Sequence, residues 1–185
     1  MLAHSPPLPF VIDYEGTSIT AEDEEAIILA LEQRDRVRCI RFNFPVLKLQ
    51  KLIMAINGEY PILEYLISGE TPGDKSTVLI LPETPQSPHL RHLAFGCSIP
   101  MRFPLLGTAA GLVTLNLGLH HPPTYFQPTV LIHSLSLMPQ LEMFLLYFFF
   151  SIPNRNVERQ LMRTLTTTTH VTLPGLRTFS FRTNL

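Results

Sequence analysis

A chain of 185 residues with 45% apolar content can bury a core of its own, which excludes an intrinsically disordered polymer. Only 16% of residues are charged, 17 are proline, and a net charge of −1 favours neither a nucleic-acid nor a membrane-surface partner. Cys39 and Cys97 stand far apart without CxxC spacing, so they read as reduced thiols of a cytoplasmic or nuclear protein rather than a disulfide framework.

In chain order, "MLAHSPPLPF" carries neither a basic leader nor an apolar stretch of signal-peptide length, and "PFVIDY" reads as an edge or capping strand. "TAEDEEAIILALEQRD" predicts a helix with Thr20 as N-cap, acids in the first turn and an apolar stripe of Ile27, Ile28 and Leu31. "IRFNFP" is strand-like. "FPVLKLQKLIMAIN" predicts a helix opening at Pro45, with Leu49, Leu52, Ile53 and Ile56 on one face. "STVLILPETPQSP" reads as extended, with Val78 and Ile80 alternating. "TYFQPTVLIHSLSLMP" predicts a helix around Val130, Leu131, Leu135 and either Leu137 or Met138. "NRNVERQLMRTL" predicts another, capped by Asn154 or Asn156, with Val157, Leu161 and Leu165 inward. Neither the fifteen uncharged residues Leu105–Leu119 nor Met143–Phe150 reaches the ~20 apolar residues of a spanning helix.

An L-x-x-L-x-L frame recurs along the chain. It appears at Val37, Ile40, Phe42; Leu63, Leu66, Ser68; Leu90, Leu93, Phe95; Leu112, Leu115, Leu117; Leu141, Phe144, Leu146; and Leu176, Phe179, Phe181. First positions are 26, 27, 22, 29 and 35 residues apart, and Pro61, Pro88, Pro139 and Pro174 stand two residues before four of them. This approaches the leucine-rich-repeat period of roughly 20–29 residues. The fourth and sixth positions are two apart, so in a short strand both point to one face, and no repeat can bury them without its neighbours. The fold expected is α/β: a leucine-rich-repeat-like solenoid with irregular repeats. Its parallel sheet would line the concave side, with helices and extended segments on the convex side. The whole of 1–185 would be one such domain, truncated at both ends, with strands near 37–43, 63–68, 90–95, 112–117, 141–146 and 176–181. Tyr147–Phe150 fall beyond the frame and are expected to pack under the helix that follows. Exposed apolar edges at the two ends of the stack would leave the isolated chain marginal or self-associating.

Five segments carry a resemblance: "ITAEDEEAIILALEQRDRVR", "LQKLIMAINGEYPILEYLI", "DKSTVLILPETPQSPHLRHL", "YFQPTVLIHSLSLMPQLEM" and "NRNVERQLMRTLTTTTHVTLPGLR". From about Leu8 to the end, the chain resembles the leucine-rich-repeat portion of the F-box-like protein family of mushroom-forming fungi. The resemblance implies the substrate-holding part of a ubiquitin-ligase F-box protein. No segment before Leu8 is long enough for a three-helix F-box, so docking on the ligase's adaptor subunit is expected only if an F-box is supplied upstream. A stand-alone repeat scaffold or non-functional fragment is the alternative.

Catalytic signatures are missing: there is no GxSxG, no HExxH and no phosphate-cradling glycine loop. His89 and His92 would diverge across a strand start, and His120–His121 lack a third ligand. Cys97 reads as a small buried apolar group. "EDEE" at Glu22–Glu25 is accounted for by the helix dipole, and "TTTT" at Thr166–Thr169 reads as the passage from helix to strand. No enzyme activity, cofactor or metal is expected. The third and fifth frame positions instead predict a solvent-facing surface: Cys39 and Arg41, Tyr65 and Ile67, His92 and Ala94, Thr114 and Asn116, Met143 and Leu145, Thr178 and Ser180. The residues assigned to a protein or peptide partner are Arg41, Tyr65, Ile67, His92, Thr114, Asn116, Met143, Leu145 and Thr178, because Tyr65, Ile67, Met143 and Leu145 are too apolar for an idle surface.

Overall fold

A computed structural model describes residues 8–16, 18–43, 46–69, 86–96, 109–119, 128–148 and 172–183. Seven strands form one sheet: β1 (Phe10–Glu15), β2 (Val37–Asn43), β3 (Tyr65–Gly69), β4 (His92–Phe95), β5 (Thr114–Leu119), β6 (Met143–Phe148) and β7 (Thr178–Thr183). Spatial order equals chain order, and every adjacent pair is parallel. Three described helices accompany them: α1 (Ala21–Glu32), α2 (Val46–Ala55) and α3 (Pro128–Ser136). The result is an α/β fold in which a parallel sheet is flanked by helices.

The register explains the frame. Ile12, Ile40, Leu66, Leu93, Leu115, Phe144 and Phe179 form one row across the sheet. Tyr14, Phe42, Ser68, Phe95, Leu117, Leu146 and Phe181 form a second. Both rows point to the core, where α1 contributes Ile27 and Leu31 and α2 contributes Leu49, Leu52 and Ile53, followed by Ile56. Phe179 and Phe181 depart from the expected burial, at 61% and 49% exposed. β7 pairs on one side only, and edge position alone does not expose a side chain, since Ile12 of the other edge strand, β1, is buried in one cluster with Ile27 and Leu31 of α1.

The strands expected at 63–68, 90–95, 112–117, 141–146 and 176–181 begin two residues later than the frame. Each first-position leucine closes a turn instead. Its N–H donates to the carbonyl three residues back: Leu63 to Tyr60, Leu90 to Ser87, Leu112 to Ala109, Leu141 to Met138 and Leu176 to Leu173. This places Pro61, Pro88, Pro139 and Pro174 at the second position of the turn, where the fixed proline φ is already correct. It also reveals a core position outside the L-x-x-L-x-L frame. Tyr60, Ser87, Ala109 and Met138 are each fully buried at the first position of their turn.

After the turn, one carbonyl per repeat accepts two N–H groups from the next. Glu64 accepts from Arg91 and His92, Arg91 from Val113 and Thr114, Val113 from Glu142 and Met143, and Glu142 from Arg177 and Thr178. Repeats of unequal length thus dock through one local geometry.

The helices follow their sequence signals. Thr20 caps α1, its Oγ1 accepting from the Asp23 N–H at 3.1 Å while donating to Asp23 Oδ2 at 2.8 Å. Lys51 of α2 forms an ion pair with Glu24 of α1. Gly58 follows α2 at φ 88°, a left-handed conformation that favours glycine, and a Cβ there would also displace the Arg34 guanidinium. At the end of α3 the choice between Leu137 and Met138 falls to Met138, which is buried while Leu137 is 41% exposed. Tyr147 and Phe148 extend β6 rather than lying beyond it; Phe148 is inward and sits 5.3 Å from the Phe181 ring. The expected helix over 154–165, the extended segment over 76–85, Cys97, His120–His121, Thr166–Thr169 and Phe149–Phe150 lie outside the described residues.

Leu115→Ala, at a fully buried central position, is expected to cost about 2–5 kcal/mol. Phe181→Ala at the edge should cost less, and chemical denaturation of the two variants checks the order. Ala110 holds the turn position that proline occupies in the other four repeats. Ala110→Pro is therefore expected to stabilise by about 0.4–1 kcal/mol, read as a raised Tm.

Candidate interaction surface

The face of the sheet opposite the core carries the side chains that alternate with the two buried rows. Its first row is Val11, Cys39, Tyr65, His92, Thr114, Met143 and Thr178. The second is Asp13, Arg41, Ile67, Ala94, Asn116, Leu145 and Ser180. All nine residues assigned to a partner from sequence fall in these two rows, which the parallel register brings side by side.

Their surroundings differ. Tyr65 and His92 stack face to face, with centroids 4.4 Å apart and planes 9° from parallel. His92 Nδ1 lies 3.2 Å from Thr114 Oγ1, so the imidazole is held between a ring and a hydroxyl. Burial, followed by the Arg91 charge, lowers the His92 pKa below the ordinary imidazole value, against a smaller opposing effect of Glu64. Arg41 is already engaged, donating to Asp13 at 2.6 Å. Both groups are about half exposed, so the pair adds little stability. Met143 is exposed, while Ile67, Asn116 and Leu145 are half-buried.

Cys39, expected at the surface, is buried instead at 7% exposure, in its row between Val11 and Tyr65. Burial raises its thiol pKa, which disfavours the thiolate form. His89 and His92 do not converge: His89 lies in the exposed turn before β4. No group of three or more His, Cys, Asp or Glu side chains positioned for a metal occurs among the described residues. Among those residues, too, no helix is long and apolar enough to cross a membrane.

Two features escape the six-position frame. A third row on the same face runs Glu15, Asn43, Gly69, then Gly118, Tyr147 and Arg182 across the later strands. Asn43 donates to Glu15 at 3.0 Å, and the Arg182 guanidinium lies 5.8 Å from the Tyr147 ring centroid. Extending the frame by one position would have found it. Along the edge where the strands start, the turns enclose a groove of about 500 Å³ lined by Pro88, His89, Arg91, Val113, Pro139 and Gln140, among others. The proline two residues before four of the frame starts is its sequence signal. Beside it, the second frame position runs Arg38, Glu64, Arg91, Val113, Glu142 and Arg177, giving the Arg38–Glu64 pair at 2.9 Å and the Glu142–Arg177 pair at 3.6 Å.

Compared with protein-family models, curated proteins and solved structures, the chain matches none of them.

The lowered His92 pKa has a definite consequence for stability. The unfolded chain takes up the proton first, so stability is complete above about pH 6.5 and declines as pH falls through that value toward the folded pKa. His92→Asn is expected to flatten the fall in Tm between pH 7.5 and 5, measured by calorimetry against the parent chain.

Proposed function

We propose that this chain is a leucine-rich-repeat-like solenoid whose function is non-catalytic protein recognition. The observation that carries the reading is the face opposite the core, where Tyr65, Ile67, Met143 and Leu145 stand in adjoining rows. On this reading the sheet lines a concave trough and a protein or peptide segment lies across it. Tyr65 stacked on His92 forms a rigid aromatic platform, and Ile67, Met143 and Leu145 supply apolar contact. Aromatic and methionine side chains concentrate binding energy in such positions. Thr114 and Asn116 offer polar groups between them, with Arg41 toward the β1 side and Thr178 on β7 completing the surface. By its resemblance to the fungal F-box-like proteins, the trough is the substrate-holding part of a ubiquitin-ligase receptor. The adaptor subunit enters only through an F-box supplied upstream of these residues. Without one, the same face serves a stand-alone repeat scaffold.

The test is affinity capture with the parent chain and with a Tyr65→Ala, His92→Ala, Met143→Ala triple variant, compared by quantitative mass spectrometry. A partner bound in the trough should be retained at least about tenfold less by the variant. Gln140→Ala, on the strand-start edge, should retain it in full. Equal capture by the triple variant overturns the assignment of this face.

A further inference from the structure

The two edge strands of the sheet are complementary to each other. Within a parallel strand, successive residues direct their backbone N–H and C=O alternately to one neighbour and the other. The Gly16 N–H donates to the Asn43 carbonyl, so Ile12 and Tyr14, of the same parity, turn their backbone groups toward β2. Those of Val11, Asp13 and Glu15 are left on the outer edge. At the other end the Thr178 N–H donates to the Glu142 carbonyl. Thr178, Ser180 and Arg182 therefore face β6, and the backbone groups of Phe179 and Phe181 lie on the outer edge.

Past a register shift between Phe10 and Val11 in β1, all six pairings keep one register, in which frame positions of equal rank lie side by side. A strand continuing the sheet past β7 must direct the backbone groups of its open-face residues toward β7 and its remaining side chains inward. β1 meets both requirements. In that register Phe179 falls beside Ile12 of a second copy and Phe181 beside Tyr14, which continues the two core rows. Thr178 falls beside Val11, Ser180 beside Asp13 and Arg182 beside Glu15, an opposite-charge pair on directly opposed positions. The surfaces left open at the two edges are apolar as well. Phe179 is 61% and Phe181 49% exposed at one end, and Val11 is 65% and Leu8 80% exposed at the other.

We infer that copies of this chain associate head to tail, β1 of one adding to β7 of the next and extending the parallel sheet from molecule to molecule. The contact joins two different surfaces, so a pair of copies still leaves one β1 edge and one β7 edge open, and the assembly grows with concentration. It uses the sheet edges and meets the open-face trough only at Thr178, and every copy in the row presents that trough in the same direction.

Sedimentation velocity over a concentration series tests the inference with the full chain. The mass should rise continuously past two chains. Glu15→Arg and Arg182→Glu, both exposed and on separate strands, should each weaken association about tenfold by opposing like charges. Circular dichroism checks that each variant is folded. Mixing the two variants should restore association, because Arg182 of one then meets Glu15 of the other, and Glu at 182 meets Arg at 15 on the next contact. A chain that stays monomeric overturns the inference, as does a mass that stops at two chains. So do charge reversals without effect, or a mixture no more associated than its components.

Discussion

The inward side chains of any one strand cover only part of the surface they need to bury, and the strands on either side supply the rest. Leu93, Leu115 and Phe144 are nearly inaccessible because each lies between neighbours carrying an equivalent residue in register. Where the neighbour is missing, at β7, residues of the same rank are exposed. Burial in this fold is a property of adjacency. The order of strands, the position of the helices and the existence of a second, open face all follow from keeping that register through six successive pairings.

What keeps the register is local and repeated. A hydrogen-bonded turn precedes each later strand, with its first residue buried in all but Leu173 and proline at its second position in four of the five. One carbonyl then accepts two N–H groups from the following repeat, tying the start of each strand to the one before. The connecting segments vary in length without disturbing the sheet, because the cost of closing a longer loop grows slowly.

On the open face the same register assembles chemistry that no single segment holds. Tyr65 and His92 are 27 residues apart in sequence yet stack in parallel planes, and Thr114, a further strand along, reaches the imidazole nitrogen. Burial behind this row gives His92 its lowered pKa and makes Cys39 an interior thiol.

Much of this was legible in the residues themselves. Period-two alternation within each L-x-x-L-x-L segment set which side chains share a face, because adjacent residues of a strand necessarily point apart. Thr20 and the apolar stripe of Leu49, Leu52, Ile53 and Ile56 marked helices for equally local reasons. The nine open-face residues could be named from the same alternation. Other features had no local signature. Cys39 shares its rank with Tyr65 and Met143, and only its place between Val11 and Tyr65 decided that it is buried. Phe179 and Phe181 carry the same pattern as Phe144 and Leu146 yet are exposed on the edge strand β7, while Ile12 on the edge strand β1 is buried with Ile27 and Leu31 of α1. The third row, with Tyr147 and Arg182 at one end and Glu15 at the other, became visible once strand lengths were known. Alternation is a short-range property of the backbone and can be read from sequence, whereas burial depends on which strands lie alongside, and that is settled only when the sheet is assembled.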